Sequence, residues 1–418
     1  MIGRAVGSVV TTRGHLVEAA LPFARAGDGV RVCARDVAVH ARVTALQGSR
    51  ALLAPFGATD GVALDDRVEC DPSVLRLPLG TPLLGRAVDA CGTPLDGRPA
   101  PRGRRVAVDV PPHAVGERRP CHDVFWTGVR AIDGPLALGR GARIGVFGAP
   151  GTGKSALLDA VVRGAWADAV VIALVGERGR EAERWLARLG PRTTIVCATS
   201  DRAPAERVRA AEVAFAQADA LRARGLDVLL VVDSLARICG AARELMLGLG
   251  EPAGRGGYPP GVFALLAGLL ERAGPVSSGA YGAAGVTLVA TVLSDGPDEH
   301  DPVSEAARAA LDGHLVLCDR LVRAGHFPAI DIARSTSRTL AEVASPGHVA
   351  AASVLRSAVA ALDASRDARS LGLSSGDPFL ARCIAQESAV ERFLRQGHAP
   401  CSPHQTLTEL LRLADTLQ

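Results

Sequence analysis

The sequence predicts an α/β protein with a core built on a parallel sheet, a small closed β-barrel before it and an α-helical domain after it. Three observations carry this reading. Short β-type runs bounded by turn residues recur at regular spacing through about the first 75 residues. From Gly128 onward, strand-like and helix-like segments alternate, as in a parallel sheet covered on both faces. From about Ser345 the apolar pattern becomes helical. The expected divisions are 1–76 for the barrel, 77–345 for the core and 346–418 for the helical domain.

The barrel strands are expected at Ala5 to Thr11, His15 to Ala20, Gly29 to Ala34, Ala38 to Leu46 and Ala51 to Pro55. Phe23 and Phe56 are the only aromatic residues there, too few to stack nucleic-acid bases, so an assembly role is expected of this domain. Leu77 to Pro120 is rich in Pro and Gly and reads as a tight-turned connector. Core strands are expected at Arg143 to Phe147, Val170 to Val175, Thr194 to Ala198, Val228 to Val232, Val286 to Val292 and His314 to Leu317. Helices follow at Val349 to Leu362, Pro378 to Leu394 and Thr406 to Leu417.

The chain has 418 residues, 48% of them hydrophobic, enough for two or three domains with sizeable cores. A net charge of +3 argues against a dedicated nucleic-acid binder, which concentrates basic residues in a stripe. Nine cysteines, odd in number and without a C-x-x-C pair, suggest reduced thiols rather than a disulfide framework or a zinc ribbon. His398, Cys401 and His404 sit in a Pro-containing loop and read as surface residues rather than metal ligands. The first residues lack a signal-peptide core, and no run approaches the ~18 apolar residues that suggest a membrane span. A soluble protein with peripheral membrane association only is expected.

The chemistry centres on Gly148-Ala-Pro-Gly-Thr-Gly-Lys-Ser155, which satisfies every fixed position of the phosphate-binding pattern G-x-x-x-x-G-K-[ST]. Arg143 to Phe147 before it reads as a buried strand and Ala156 to Val162 after it as a helix. Gly148, Gly151 and Gly153 let backbone N–H groups curl around phosphate oxygens, with Ala149, Pro150 and Thr152 completing the loop. Lys154 is expected on the β and γ phosphates and the Ser155 hydroxyl on Mg²⁺. Of the 47 Lys and Arg residues, 46 are arginines, and Lys154 is the single lysine. A compact ammonium enters a loop wrapped around phosphates where a planar guanidinium is too broad.

Two strand ends supply acids. Leu226 to Asp233 is an apolar strand ending in a carboxylate suited to ordering the water around Mg²⁺; the plainer alternative is a helix cap before Ser234. Glu177 ends the strand before it in the same way and is placed to polarise a water attacking a γ phosphate, with Arg178 beside it. On its own the acidic run Glu177 to Glu183 reads equally as a solvated helix start.

Further blocks extend the pattern: Gly176-Glu-Arg-Gly-Arg-Glu181, Asp233-Ser-Leu-Ala-Arg237, Gly250-Glu-Pro252 through Gly257-Tyr-Pro-Pro-Gly-Val-Phe263, Leu311-Asp-Gly-His314, Gly325-His-Phe-Pro-Ala-Ile-Asp331 and Ser335-Thr-Ser-Arg338. With the phosphate loop they resemble the type III secretion ATPases of injectisomes and flagella, relatives of the catalytic subunit of rotary ATP synthases. The resemblance is dense from about Leu79 to Arg338 and weaker towards both ends. It implies a RecA-like core using ATP and Mg²⁺, in a homohexameric ring that couples hydrolysis to chaperone release and protein export.

Carried over residue by residue, the resemblance makes Glu177 the base, Arg178 its partner and Asp233 the Mg²⁺-orienting acid, with Arg237 lining the site. Arg338 becomes an arginine finger acting on a neighbouring subunit's nucleotide, and Phe327 and Phe393 sandwich the adenine. For Phe393, a plain core position is the alternative. The loop Glu251 to Phe263 is expected to face a central channel, with Arg255 and Tyr258 available to a stalk or substrate, or else to be an ordinary surface loop. The implied partners are stator and central stalk proteins, an export gate and chaperone–substrate complexes, at the cytoplasmic face of the bacterial inner membrane. The chain starts close to its first barrel strand, where family members often carry a stator-binding arm, and Ser370 to Pro378 lacks the family's Tyr-containing segment. The rivals are a rotary ATP synthase subunit, a hexameric RNA translocase and a nucleotide-gated scaffold; the four groups Lys154, Glu177, Asp233 and Arg338 disfavour the last.

Overall fold

A computed structural model describes residues 6–35, 37–277, 283–293, 301–372 and 376–418. Ala5, at the head of the first expected strand, and 373–375, within Ser370 to Pro378, lie outside the described residues. The chain forms two compact units, Met1–Ala114 with Ala169–Arg272 and Asp301–Ala306, and Val115–Asp168 with Ala273–His300 and Ala307–Gln418.

The first unit opens with a closed barrel of β1 (Val6–Arg13), β2 (Leu16–Ala20), β3 (Gly29–Cys33), β4 (Ala38–Gln47), β5 (Arg50–Pro55) and β6 (Arg67–Cys70), in the order β1-β2-β5-β4-β3-β6. Alternation along β4 points Val39, Ala41 and Val43 inward to meet Val17, Val30, Val32, Leu53 and Val68. β6 is absent from the sequence reading because only Val68 of its four residues is buried, so it carries no alternation of its own. It exists because β1 and β3 both pair with it, a non-local demand that closes the barrel.

Beyond the barrel come β7 (Arg86–Val88), β8 (Arg143–Gly148), α1 (Lys154–Gly164), β9 (Ala169–Val175), α2 (Gly179–Leu186), β10 (Thr193–Ala198), α3 (Pro204–Arg222), β11 (Val228–Asp233), α4 (Leu235–Gly248) and α5 (Pro260–Leu270). β12 (Gly274–Ser277), β13 (Ala283–Leu293), α6 (Pro302–Ala310), β14 (Gly313–Leu317), β15 (Ile330–Ser337), α7 (Pro346–Ala364), α8 (Pro378–Ala385), α9 (Glu387–Leu394) and α10 (Pro403–Leu417) complete the principal elements.

In the first unit the parallel strands run β11-β9-β10-β7. Every residue of β9, β10 and β11 is buried, which is why they read as continuous apolar runs. β7 arises within the expected connector: the Gln217 amide of α3 accepts from Gly80 N at 2.6 Å and donates to its carbonyl at 2.9 Å, securing the Pro/Gly-rich run just ahead of it. The barrel seats on α3 through Leu16, Ala54, Phe56 and Val74 packed with Ala205, and through Arg209, 1% exposed, 5.2 Å over the Phe56 ring.

In the second unit the order is β15-β14-β8-β13, parallel except for β15, with β12 antiparallel to β13. β15 was not expected from the sequence, because its polar Arg334-Ser-Thr-Ser337 half breaks the apolar run. α7 packs against β15, α8 and α10. The single helix expected over Pro378 to Leu394 is instead two, α8 and α9, parted at Gln386, whose φ of −103° and ψ of 6° leave the helical range. The break lets Leu380 and Cys383 bury on one side and Val390, Phe393 and Leu394 on another. Among the described residues no helix is long and apolar enough to cross a membrane.

Candidate active site

Each unit carries one part of the predicted chemistry. In the second, β8 delivers the chain into the phosphate loop with Gly148 at its buried end. A Cβ there would lie 2.7 Å from Thr152 Oγ1, so the position requires glycine. Gly151 and Gly153 have φ of +84° and +92°, a conformation other residues resist. Thr152, 2% exposed, closes the turn by donating to the Ala149 carbonyl at 2.8 Å. Gly153 caps α1 without a side chain, leaving the first-turn N–H groups and the positive end of the helix at the loop. Lys154 Nζ folds back and donates to the Gly148 and Ala149 carbonyls, 2.7 Å each, while Pro150 and Ser155 are exposed. These two carbonyls hold the ammonium at the phosphate loop itself.

In the first unit, β9 ends at Val175 and Gly176, with φ of +70°, turns the chain so that Glu177 is buried at 4% exposure. Arg237 of α4 lies across it: its Nε is 2.8 Å from Glu177 Oε1, an ion pair not aimed as a hydrogen bond, and its Nη1 donates to the Gly176 carbonyl. Carboxylate oxygens of Glu177, Glu181 and Asp233 lie within 4.8 Å of one another. Burial first, then the charge of Asp233 and a hydrogen bond with Glu181, push the Glu177 carboxyl above the usual carboxylate range, against the pull of Arg237. Ser234, not Asp233, caps α4, its Oγ accepting from Arg237 N at 3.4 Å.

The guanidinium against Glu177 is thus that of Arg237; Arg178 is exposed at the N-cap of α2 and pairs with no described acid. Arg338 directly follows β15, is exposed, and is anchored by its N–H to the Asp312 carbonyl at 2.9 Å; Asp312 in turn holds Arg143 at 3.0 Å. Phe327 is 44% exposed. Phe393 is 4% exposed, packed so closely on Gly134 that a Cβ there would meet its ring at 2.8 Å, with the Arg130 guanidinium 5.8 Å from its centroid. One of the two rings is presented to solvent and the other is packed.

The loop around Arg255 is pinned: Arg255 pairs with Glu305 at 2.6 and 3.0 Å, and Arg243 lies 5.2 Å over the Tyr258 ring. The sequence reading assigns Glu181 no role in the chemistry. Its signal was the four-residue spacing from Glu177 across the start of α2, which returns a side chain to the same side.

Taken by itself, the loop of left-handed glycines at a helix N-terminus fits the phosphates of a nucleotide, and the Glu177, Glu181 and Asp233 cluster by itself fits a cation. Residues 128–337 match the nucleotide-binding domain of the ATP synthase alpha/beta family. The chain is 40% identical over 374 residues to the flagellum-specific ATP synthase of Salmonella typhimurium, covering 86% of this chain and 81% of that one. It is 40% identical over 405 residues to a type 3 secretion system ATPase of Sinorhizobium fredii, covering 94% and 88%. Among solved structures it is similar to the assembled ATPase EscN of the enteropathogenic E. coli type III secretion system, with a TM-score of 0.90 at 34% identity over 98% of this chain and 100% of that one. The same ATPase in complex with its central stalk EscO gives 0.88 at 33% identity, again over 98% and 100%. The chain belongs to the ATP synthase alpha/beta family and, within it, to the type III secretion and flagellar export ATPases.

Proposed function

We propose that this chain hydrolyses ATP as a homohexameric ring serving protein export, with Lys154 binding the phosphates and Glu177 activating the water. The observation that carries the reading is the Glu177 carboxyl, buried, gripped by Arg237 and crowded by Asp233 and Glu181, in a chain with an intact phosphate loop. Glu177 accepts a proton from water as the water oxygen bonds to the γ phosphorus; the bond from that phosphorus to the bridging oxygen breaks, and ADP leaves with phosphate as the second product. Ser155 and Asp233 would hold Mg²⁺, directly and through water, and the ion would neutralise negative charge on the phosphates. Phe327 stacks on the base, whereas Phe393, packed on Gly134, takes the core position that was its alternative. Arg178, exposed beside the base, is available to the γ phosphate.

Arg338 reaches the nucleotide of the next subunit, where a guanidinium contributes on the order of 10³ to 10⁵ in rate. A central stalk and a ring follow from the likeness to assembled EscN and its stalk complex. A stator protein, an export gate and chaperone–substrate complexes complete the partners, with chaperone release and substrate unfolding as the work done, at the cytoplasmic face of the membrane.

The ring is tested by mixing two inactive variants, Glu177→Gln and Arg338→Ala. Where the Arg338→Ala chain holds the nucleotide and the Glu177→Gln chain reaches across, both groups are intact, so mixed rings should recover ATPase activity. Mixed hexamers without activity, across every mixing ratio, would place the finger within its own chain or remove it from the reaction.

A further inference from the structure

Gln396 lies in the loop between α9 and α10, outside the motifs read in the sequence, yet its amide makes three hydrogen bonds and uses both of its donors. Its Oε1 accepts from Arg130 N at 2.8 Å. Its Nε2 donates to the Gly128 carbonyl at 2.7 Å and the Ala399 carbonyl at 2.9 Å. Its backbone N–H donates to the Phe327 carbonyl at 2.8 Å. The main chain of Gln396 therefore holds the main chain at Phe327, and its side chain ties that point to the Gly128–Arg130 turn.

That turn leads to the phosphate loop. Gly128 and Gly164, the last residue of α1, touch: a Cβ on Gly128 would lie 2.8 Å from Gly164 Cα and 2.9 Å from Pro400 Cβ. The Gly128 carbonyl also accepts from Cys401 N at 2.9 Å. Arg130 fastens the same loop from its other end, donating to the Arg395 carbonyl at 2.8 Å and pairing with Glu409 at 2.7 Å. α1 has 11 residues, a rod of about 16 Å, and its first residue is Lys154. Phosphate loop, helix, Gly128 turn, Gln396 and Phe327 are consecutive contacts in one unit.

We infer that Gln396 is a positioning residue for base recognition, fixing the Phe327 ring at a set distance from the phosphate loop. The inference rests on the reading of Phe327 as the surface that stacks on the base. A ring displaced by an ångström still offers a face, but no longer at the spacing that a base and a triphosphate demand together. Loss of Gln396 should therefore weaken ligands that carry a base and spare those that do not.

The test compares binding of ATP with binding of inorganic tripolyphosphate, each with Mg²⁺, by calorimetry on the full chain. Gln396→Met keeps the side-chain volume and removes the amide. ATP affinity should fall about tenfold, the scale of one or two hydrogen bonds, while tripolyphosphate affinity stays within about twofold. If that variant does not fold, Gln396→Glu, which keeps the acceptor for Arg130 N and loses both donors, should shift the same ratio. In a Phe327→Ala background the Gln396 substitution should have no further effect on ATP, because its action passes through the ring. Equal losses for both ligands, no loss for ATP, or full additivity with Phe327→Ala would each overturn the inference. Wild-type protein that does not prefer ATP to tripolyphosphate would instead sink the reading of Phe327, and this inference with it.

Discussion

The phosphate loop and the carboxylate cluster hold charge in opposite ways. The loop is eight consecutive residues whose working groups are mostly backbone N–H, shaped by the positive φ of Gly151 and Gly153 and by the lack of room for a Cβ on Gly148. The cluster draws Glu177 and Glu181 from either side of the start of α2 and Asp233 from the end of β11, and its character comes from burial. The loop binds anions before any side chain is considered, whereas the cluster is a reactive group only once the sheet has formed around it. Binding is locally encoded and turnover is globally encoded.

The largest effect should come from breaking the local half. Lys154→Arg keeps the charge, but a guanidinium cannot take the place of an ammonium bonded to two carbonyls at 2.7 Å. Steady-state ATPase activity should fall at least about a hundredfold, the cost of displacing a reacting group by about an ångström. Near-normal activity would mean that the only lysine in the chain is there by coincidence.

A smaller effect separates burial as a structural cost from burial as a catalytic device. Glu206, in the first turn of α3, is 5% exposed. Burial pushes its carboxyl up to about 7, with Asp89 and Asp201 reinforcing and Arg202 opposing. The folded state thus holds this proton more tightly than the unfolded chain, whose carboxyl titrates near 4.5. Its contribution is fully present below about pH 4.5 and lost as pH rises through about 7. Glu206→Gln should remove that loss, gaining on the order of 1 kcal/mol over wild type at pH 8 relative to pH 5 in thermal unfolding. A pH-independent difference would show that this carboxyl is not protonated in the fold.

The same contrast explains what could be read from the sequence. The phosphate loop was legible in full because its geometry is set within eight residues. β9, β10 and β11 were legible because strands buried on both faces are uniformly apolar. β6, β7 and β15 were not, since short or polar strands owe their existence to partners distant in sequence. Glu177 and Asp233 could be proposed from strand ends, but the role of Arg237 over Arg178 beside Glu177, and the entry of Glu181, depend on how α2 and α4 pack. Gln396 gave no signal because its partners, Gly128, Arg130 and Phe327, are known only once the chain is folded.

The central claim is that one set of residues binds and another turns over, and a paired measurement on Glu177→Gln and Lys154→Ala addresses it directly. Both variants are titrated with ATP and Mg²⁺ for affinity, then assayed for single-turnover hydrolysis at saturation. Glu177→Gln should bind within a few-fold of wild type and hydrolyse about 10²- to 10⁴-fold more slowly, the range a general base supplies. Lys154→Ala should lose affinity as well as turnover. A Glu177→Gln protein that hydrolyses bound ATP at the wild-type rate would contradict the account.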